Sequence, residues 1–311
     1  MKIVVVGANG YWGKNHVRTL KQIGVDVITC DVSGNVDHND YTDIRKCDGI
    51  VIATQPEYHL DIALYFMIHK IPVLIEKPMV IGMDEVAAIK MLYSENGDEP
   101  FVQTGHTYIY HPAIDYIKKA IDSGELGTIH YINCDWKNLG LFQKSGVIWD
   151  LAPHPLSIIL YLVGSDNYTA EHFASSHVVD GVEDTAHINL SFGDIDASIN
   201  LSWIDPMKTR KITVVGSRKM IVFDDTEPLD KIKIYDKACV FHDKSDDFGT
   251  WHMSYKYGDT LMPKLENKEP LKEELEDFIW CIRDRKRKPK SGLQLGAQVV
   301  QIIEGLRRKS S

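Results

Sequence analysis

The chain has 311 residues, 44% of them hydrophobic and 25% charged, with no biased tract. That length is enough for two buried cores, and the composition excludes a disordered or fibrous protein. A formal net charge of −9 argues against nucleic acid as the main partner, because phosphate binding needs a basic surface. The one basic run, Arg283 to Lys290, reads as a solvated helix end.

The five cysteines are odd in number and scattered, and none forms a C-x-x-C pair. Neither a disulfide framework nor a cysteine metal site is expected, so no metal is assigned. The chain opens directly on an apolar strand, which leaves no signal peptide to expect. No apolar run reaches the roughly 18 residues of a membrane span. A soluble cytoplasmic protein with reduced thiols is the expectation.

Residues 1–122 alternate strand and helix. Ile3–Val6 is a β-branched run with no polar face, as a central parallel strand requires. A helix over Trp12–Ile23 and a strand over Val25–Cys30 follow. Gly49–Ala53 reads as the third strand, Glu57–Lys70 as a helix, Pro72–Ile75 as the fourth strand, Asp84–Ser94 as a helix and Phe101–Thr104 as the fifth strand. Strands joined by crossover helices imply a doubly wound parallel sheet of Rossmann type. The short polar stretch between Asp31 and Cys47 predicts one abbreviated crossover. An amphipathic helix, His111–Ser123, leads to the expected boundary.

Residues 123–311 have a different texture. Thr128–Lys137 is a strand and Trp149–Val163 a helix; Thr185–Phe192, Asp196–Trp203, Lys211–Val215 and Lys219–Phe223 then come with almost no helix between them. Short connections such as Phe192-Gly193-Asp194 point to antiparallel hairpins. Helices over Leu271–Arg285 and Leu293–Arg308 complete an expected α+β domain with an open, mostly antiparallel sheet. The uncovered sheet face leads to the expectation of a homodimer or homotetramer.

Directly after the first strand, Gly7-Ala8-Asn9-Gly10-Tyr11-Trp12-Gly13 opens a helix. Glycines there allow a tight turn and a close backbone approach to a pyrophosphate, which the helix N-terminus attracts. The wider G-x-x-G-x-x-G spacing also suits short-chain dehydrogenases. None of the fourteen tyrosines is followed by lysine four positions later, as their catalytic pair would need. Asp31, at the end of the second strand, is placed to accept from ribose hydroxyls and to repel a 2′-phosphate, so NAD is expected over NADP. Thr54 and Gln55 leave the third strand at its carboxyl end, where ligands of such sheets bind, and His59 follows one turn into the next helix.

Glu76-Lys77-Pro78 ends the fourth strand. Charges at the end of a buried strand are costly to desolvate unless they are paired or functional. Pro78 disfavours a helical Lys77 and so aims its side chain. Asp150 and His154 stand four apart on one predicted helix and share a face, an arrangement suited to proton transfer near neutral pH.

Together, the Tyr-Trp-Gly glycine loop, Glu76-Lys77-Pro78, Gly105-His106-Thr107-Tyr108 and Trp149-Asp150-Leu151-Ala152-Pro153-His154 resemble the Gfo/Idh/MocA oxidoreductases, relatives of glucose–fructose oxidoreductase and inositol dehydrogenase. The resemblance covers nearly the whole chain. It implies Lys77, Asp150 and His154 as the catalytic group. It also implies His106, Tyr108 and Trp149 as substrate contacts, and Glu76 and Lys77 beside the cofactor. The family's Gly-Gly run before the aspartate is replaced here by Ser145-Gly146-Val147-Ile148. Asn138-Leu139-Gly140 resembles members acting on nucleotide-linked sugars. The expected function is hydride transfer between NAD and a secondary alcohol of a sugar, nucleotide sugar or cyclitol. A silent dinucleotide sensor or scaffold on the same fold, and NAD-dependent glycoside cleavage, are the alternatives.

Overall fold

The computed structural model describes residues 1–95, 101–242 and 252–308. The chain divides into two compact units, one of Met1–His111 with Lys268–Ser311, the other of Pro112–Asn267.

The first unit is built on five strands, β1 (Lys2–Val6), β2 (Asp26–Cys30), β3 (Gly49–Ile52), β4 (Val73–Glu76) and β5 (Val102–Gly105), in the order β2-β1-β3-β4-β5. Every neighbouring pair is parallel. The helices α1 (Tyr11–Ile23), α2 (His59–Ile68) and α3 (Met83–Glu95) follow β1, β3 and β4. Between β2 and β3 the chain makes only a 3-10 turn, Tyr41–Asp43, which is the abbreviated crossover expected from the polar stretch there. The order reverses at β1, so the crevice beyond the carboxyl ends of β1 and β3 is the topological switch point of this sheet.

Alternation along the strands divides the core. Val4, Val6, Ile50, Ile52, Val73 and Ile75 face one side, with Phe66, Met67, Val86 and Ile89 of α2 and α3. Ile3, Val5, Val51 and Leu74 face the other, with Leu20 of α1. Both layers are finished from the far end of the chain. The helix α7 (Pro270–Arg283) brings Leu271, Leu275 and Phe278 to the α1 side, and α8 (Leu293–Arg308) brings Ala297 and Val300 to the other. This differs from the expected division at residue 123, which gave both closing helices to the second domain. The reason is physical: a parallel sheet buries both faces, and α1, α2 and α3 leave room on each that these apolar stripes fill.

The second unit contains α4 (Pro112–Asp122), β6 (Ile129–Leu139), α5 (Gly146–Leu151), α6 (Pro153–Val163), β7 (Thr169–Ser175), β8 (Thr185–Ser191), β9 (Asp196–Ser202), β10 (Ile204–Gly216), β11 (Met220–Asp224), β12 (Ile232–His242) and β13 (His252–Leu261). The eight strands form one sheet in the order β13-β12-β11-β10-β6-β9-β8-β7. All pairs are antiparallel except β6 with β9. The expected hairpin after Phe192 is present, closed by Phe192 N–H to Ile195 O at 2.8 Å. The strands β7, β12 and β13 were not foreseen, and β10 begins well before Lys211.

The predicted helix Trp149–Val163 starts earlier and is interrupted: α5 begins at Gly146, and α6 begins with Pro153 and Pro155, which lack amide donors. The break is shallow. Ala152 keeps right-handed dihedrals, and the bonds Ala152 N–H to Ile148 O and Leu156 N–H to Ala152 O carry the ladder across it, both at 3.0 Å. Asp150 and His154 thus remain one turn apart. No helix among the described residues is long and apolar enough to cross a membrane.

Candidate active site

At the switch point lies a cavity of 840 Å³ lined by the glycine loop (Gly7, Asn9, Gly10, Tyr11, Trp12), by Asp31 and by Thr54 and Gln55. The loop could not be built from larger residues. Gly7 has φ +82°, and a Cβ on it would stand 2.5 Å from Ala53 O. A Cβ on Gly13 would stand 1.9 Å from Gly7 O. Gly13 is therefore where α1 packs against the turn, which explains why it does not itself line the cavity. The first turn of α1 holds no acidic residue, and its N-cap, Gly10, offers no side-chain bond to the amides there. Uncapped amides at a positive helix end suit a pyrophosphate.

Asp31 is held in place by the same loop. Its carboxylate accepts from Asn9 N–H at 2.9 Å and Ser33 N–H at 3.3 Å, and the Asn9 side chain bonds to Ser33 O. The remaining wall of the cavity, including Asn39, Tyr41, Tyr58, Asp61 and Ile62, was not anticipated. Tyr58, Asp61 and Ile62 share one face at the start of α2, a spacing that could have shown them. Asn39 and Tyr41 fall in a stretch with no periodicity to read.

His59 has a different task from the one expected. It is fully buried, with Nε2 3.1 Å from Thr54 O and Nδ1 3.1 Å from Pro78 O and 3.2 Å from Met79 O. Desolvation lowers its pKa, against the opposing effect of the three carbonyls. The ring ties the strand end at Thr54 to the segment after Lys77, and it does not line the cavity.

Glu76 and Lys77 also lie outside the cavity wall. Glu76 is buried and meets His16 of α1, Oε1 to Nε2 at 2.7 Å, and its Oε2 accepts the Lys77 N–H at 3.1 Å. The strand end that carries Lys77 is thus braced from α1. His106, directly after β5, is buried, and neither ring nitrogen has a hydrogen-bond partner among the described residues. Burial, and secondarily the charge of Lys77, push its pKa down to about 3. It is a neutral imidazole within the electrostatic reach of that lysine. Tyr108 lies in the 3-10 turn Thr107–Tyr110 that follows.

In the second unit, Asp150 Oδ2 accepts the Trp203 indole N–H at 3.1 Å. The His154 ring stacks on Trp136, centroids 6.0 Å apart and planes at 27°, and Arg210 lies over the same indole at 5.1 Å. Arg210 is in turn held by Lys137 O and Asn138 Oδ1, at 2.9 and 2.6 Å. Trp149 is buried, with an indole N–H that has no partner among the described residues. Asp150 does not cap the helix: the N-cap is Ser145.

Two family models match this chain. Residues 27–105 match the oxidoreductase family with an NAD-binding Rossmann fold, and residues 114–222 match the GFO/IDH/MocA C-terminal domain. The chain belongs to the Gfo/Idh/MocA oxidoreductase family. Gfo/Idh/MocA relatives include inositol 2-dehydrogenase 2 of Saccharopolyspora erythraea, 27% identical over 192 residues, which are 55% of this chain and 56% of that protein. The chain therefore spans little more than half the length of that relative. Solved structures that share the fold include two dehydrogenases. UDP-N-acetylglucosamine 3-dehydrogenase from Acidithiobacillus ferrooxidans has a TM-score of 0.79 at 20% identity, covering 99% of this chain and 96% of that one. The myo-inositol 2-dehydrogenase from Lactobacillus plantarum has a TM-score of 0.78 at 18% identity, covering 100% and 97%. The glycine loop, the uncapped α1 and the tethered Asp31 of this Gfo/Idh/MocA chain all fit the dinucleotide that the Rossmann model implies.

Proposed function

We propose that this chain is an NAD-dependent dehydrogenase acting on a secondary alcohol of a sugar, nucleotide sugar or cyclitol. The observation that carries the reading is the braced lysine. Glu76 is fixed by His16 and by the Lys77 amide, which holds an ammonium-bearing residue at the carboxyl end of β4, next to the strand whose end walls the cofactor cavity. Inositol 2-dehydrogenases among the relatives support the substrate class.

The glycine loop and the α1 amides would hold the pyrophosphate, and Asp31 would accept from the ribose hydroxyls. NAD, when bound, supplies the hydride acceptor. The Lys77 ammonium donates to the alcohol oxygen and stabilises the negative charge that develops there. His154, its ring fixed by Trp136, accepts the hydroxyl proton, and Asp150 orients it. Lys77 and His154 can exchange these two roles. His106, Tyr108 and Trp149 contact the substrate, and the uncovered face of the eight-stranded sheet joins copies into a dimer or tetramer.

The test is absorbance at the NADH band with the protein, NAD and a panel of inositols, free sugars and nucleotide sugars. A rise with at least one member is expected; no rise with any of them overturns the reading. Release of an aglycone without NADH accumulation would indicate glycoside cleavage instead.

A further inference from the structure

Glu274 lies within the electrostatic reach of two other carboxylates, Glu76 and Asp277, and only those two are provided for. Glu76 has His16 and the Lys77 amide. Asp277 of α7 has Tyr110 Oη at 2.9 Å, Arg287 Nη2 at 2.8 Å and the Lys290 amide at 2.9 Å. The third, Glu274, is one turn before Asp277 and fully buried. Its Oε2 accepts the Thr107 hydroxyl at 3.0 Å, its Oε1 has no partner, and no cation pairs with it among the described residues.

A buried carboxylate with one bare oxygen and two anionic neighbours is far costlier than the neutral acid. We propose that Glu274 is a positioning residue held as a neutral carboxylic acid, and that its proton allows the Glu76 charge to stay directed at His16 and the Lys77 amide. The role attributed to Lys77 rests on the proposed dehydrogenase reading; the protonation of Glu274 does not.

The surroundings agree. Burial first, and then the charge of Glu76, raise the Glu274 pKa well above the ordinary carboxylate range, with Asp277 adding to the effect and Thr107 opposing it. The side chains that act on it come from three elements: Glu76 at the end of β4, Thr107 and Tyr110 in the 3-10 turn, and Asp277 on its own helix. Gln103 of β5 fixes the helix itself, donating to Glu274 O at 3.0 Å. Gly105 keeps the space open, since a Cβ there would stand 3.0 Å from Glu76 Oε2. Loss of the Glu274 proton would set a second charge against Glu76 and release the strand end that carries Lys77.

The sign of the pH effect follows. An acid whose folded pKa lies above its unfolded value keeps its full contribution to stability below about pH 4.3 and loses it as the pH climbs toward the folded value. Glu274→Gln keeps the shape and the neutral state, so it should remove that loss. The experiment compares thermal unfolding midpoints of the full-length protein and E274Q from about pH 4 to about pH 9, with infrared spectra at neutral pH. The expected result has three parts. The midpoint advantage of E274Q widens as pH rises. The wild type shows a protonated-carboxyl band that E274Q lacks. The alkaline fall in NAD-dependent turnover moves to higher pH in E274Q.

A midpoint difference that does not change with pH, absence of the band from the wild type, or failure of E274Q to fold would overturn the proposal. If the wild type reduces NAD with no substrate in the panel, the dehydrogenase reading fails while the unfolding and infrared results still decide this one.

Discussion

Trp203 donates its indole N–H to Asp150 Oδ2 at 3.1 Å from a fully buried position, with its ring packed against Gly140 and Phe142. That hydrogen bond fixes the orientation of the Asp150 carboxylate. Trp203→Phe keeps the ring and deletes the donor. A hydrogen bond to a charged group is worth about 1.5–3 kcal/mol, so kcat should fall roughly tenfold or more with KM little changed. Steady-state kinetics on the substrate found by the panel checks it, and an equal loss in 1/KM alone would contradict the orienting role.

Lys77→Ala removes the ammonium but leaves the glycine loop and Asp31 intact. Turnover should drop by roughly 10²–10⁴-fold, the usual range for a positioned proton-transfer or charge-stabilising group. NAD binding, measured by calorimetry, should persist. Near-normal turnover would remove Lys77 from the reaction.

Asp31→Ala should act on two levels. It removes the proposed acceptor for the ribose hydroxyls and frees the amides of Asn9 and Ser33 that the carboxylate holds. NAD affinity should weaken by about tenfold or more, while discrimination against NADP falls, because the charge that repels a 2′-phosphate is gone. Titration with both cofactors reads the two effects separately.

His106 predicts acid sensitivity. Its folded pKa of about 3 lies below the ordinary imidazole value, so the neutral form contributes stability that is complete above about pH 6.5 and is lost as the pH falls toward 3. Over that window the cost is on the order of 5 kcal/mol for a group this buried. His106→Gln, uncharged throughout, should flatten the acid limb of a stability–pH curve obtained by urea unfolding. An unchanged limb would mean that burial does not hold the His106 ring neutral.

The division of the sequence into strand and helix was largely readable in the first unit. Its central strands β1, β3 and β4 are mostly β-branched runs buried on both faces, and glycine, proline and aspartate punctuate them at the ends. The cofactor loop was readable for the same reason, since only glycine fits at Gly7 and Gly13. Other features were hidden because they depend on contacts between residues distant in sequence. The apolar stripe of α7 fits either unit until the sheet face it covers is known. His59 looked like a cofactor contact because its position relative to β3 is right; what changes its role is the pair of carbonyls at Pro78 and Met79, brought to it by the fold. The strand β12 carries Lys233, Asp236 and Lys237 among its apolar residues and reads as polar. Trp203, between β9 and β10, gave no sign that its indole meets Asp150.

Because α7 and α8 complete both layers around the parallel sheet, the order of synthesis and the order of completion run opposite to each other. A ribosome delivers β1 to β5 first, yet the faces bearing Val51, Leu74 and Val73 wait for Leu275, Phe278 and Val300. The intervening unit is finished before those partners emerge. The nascent N-terminal segment therefore carries uncovered apolar surface through most of translation, the condition in which chains recruit chaperones or aggregate.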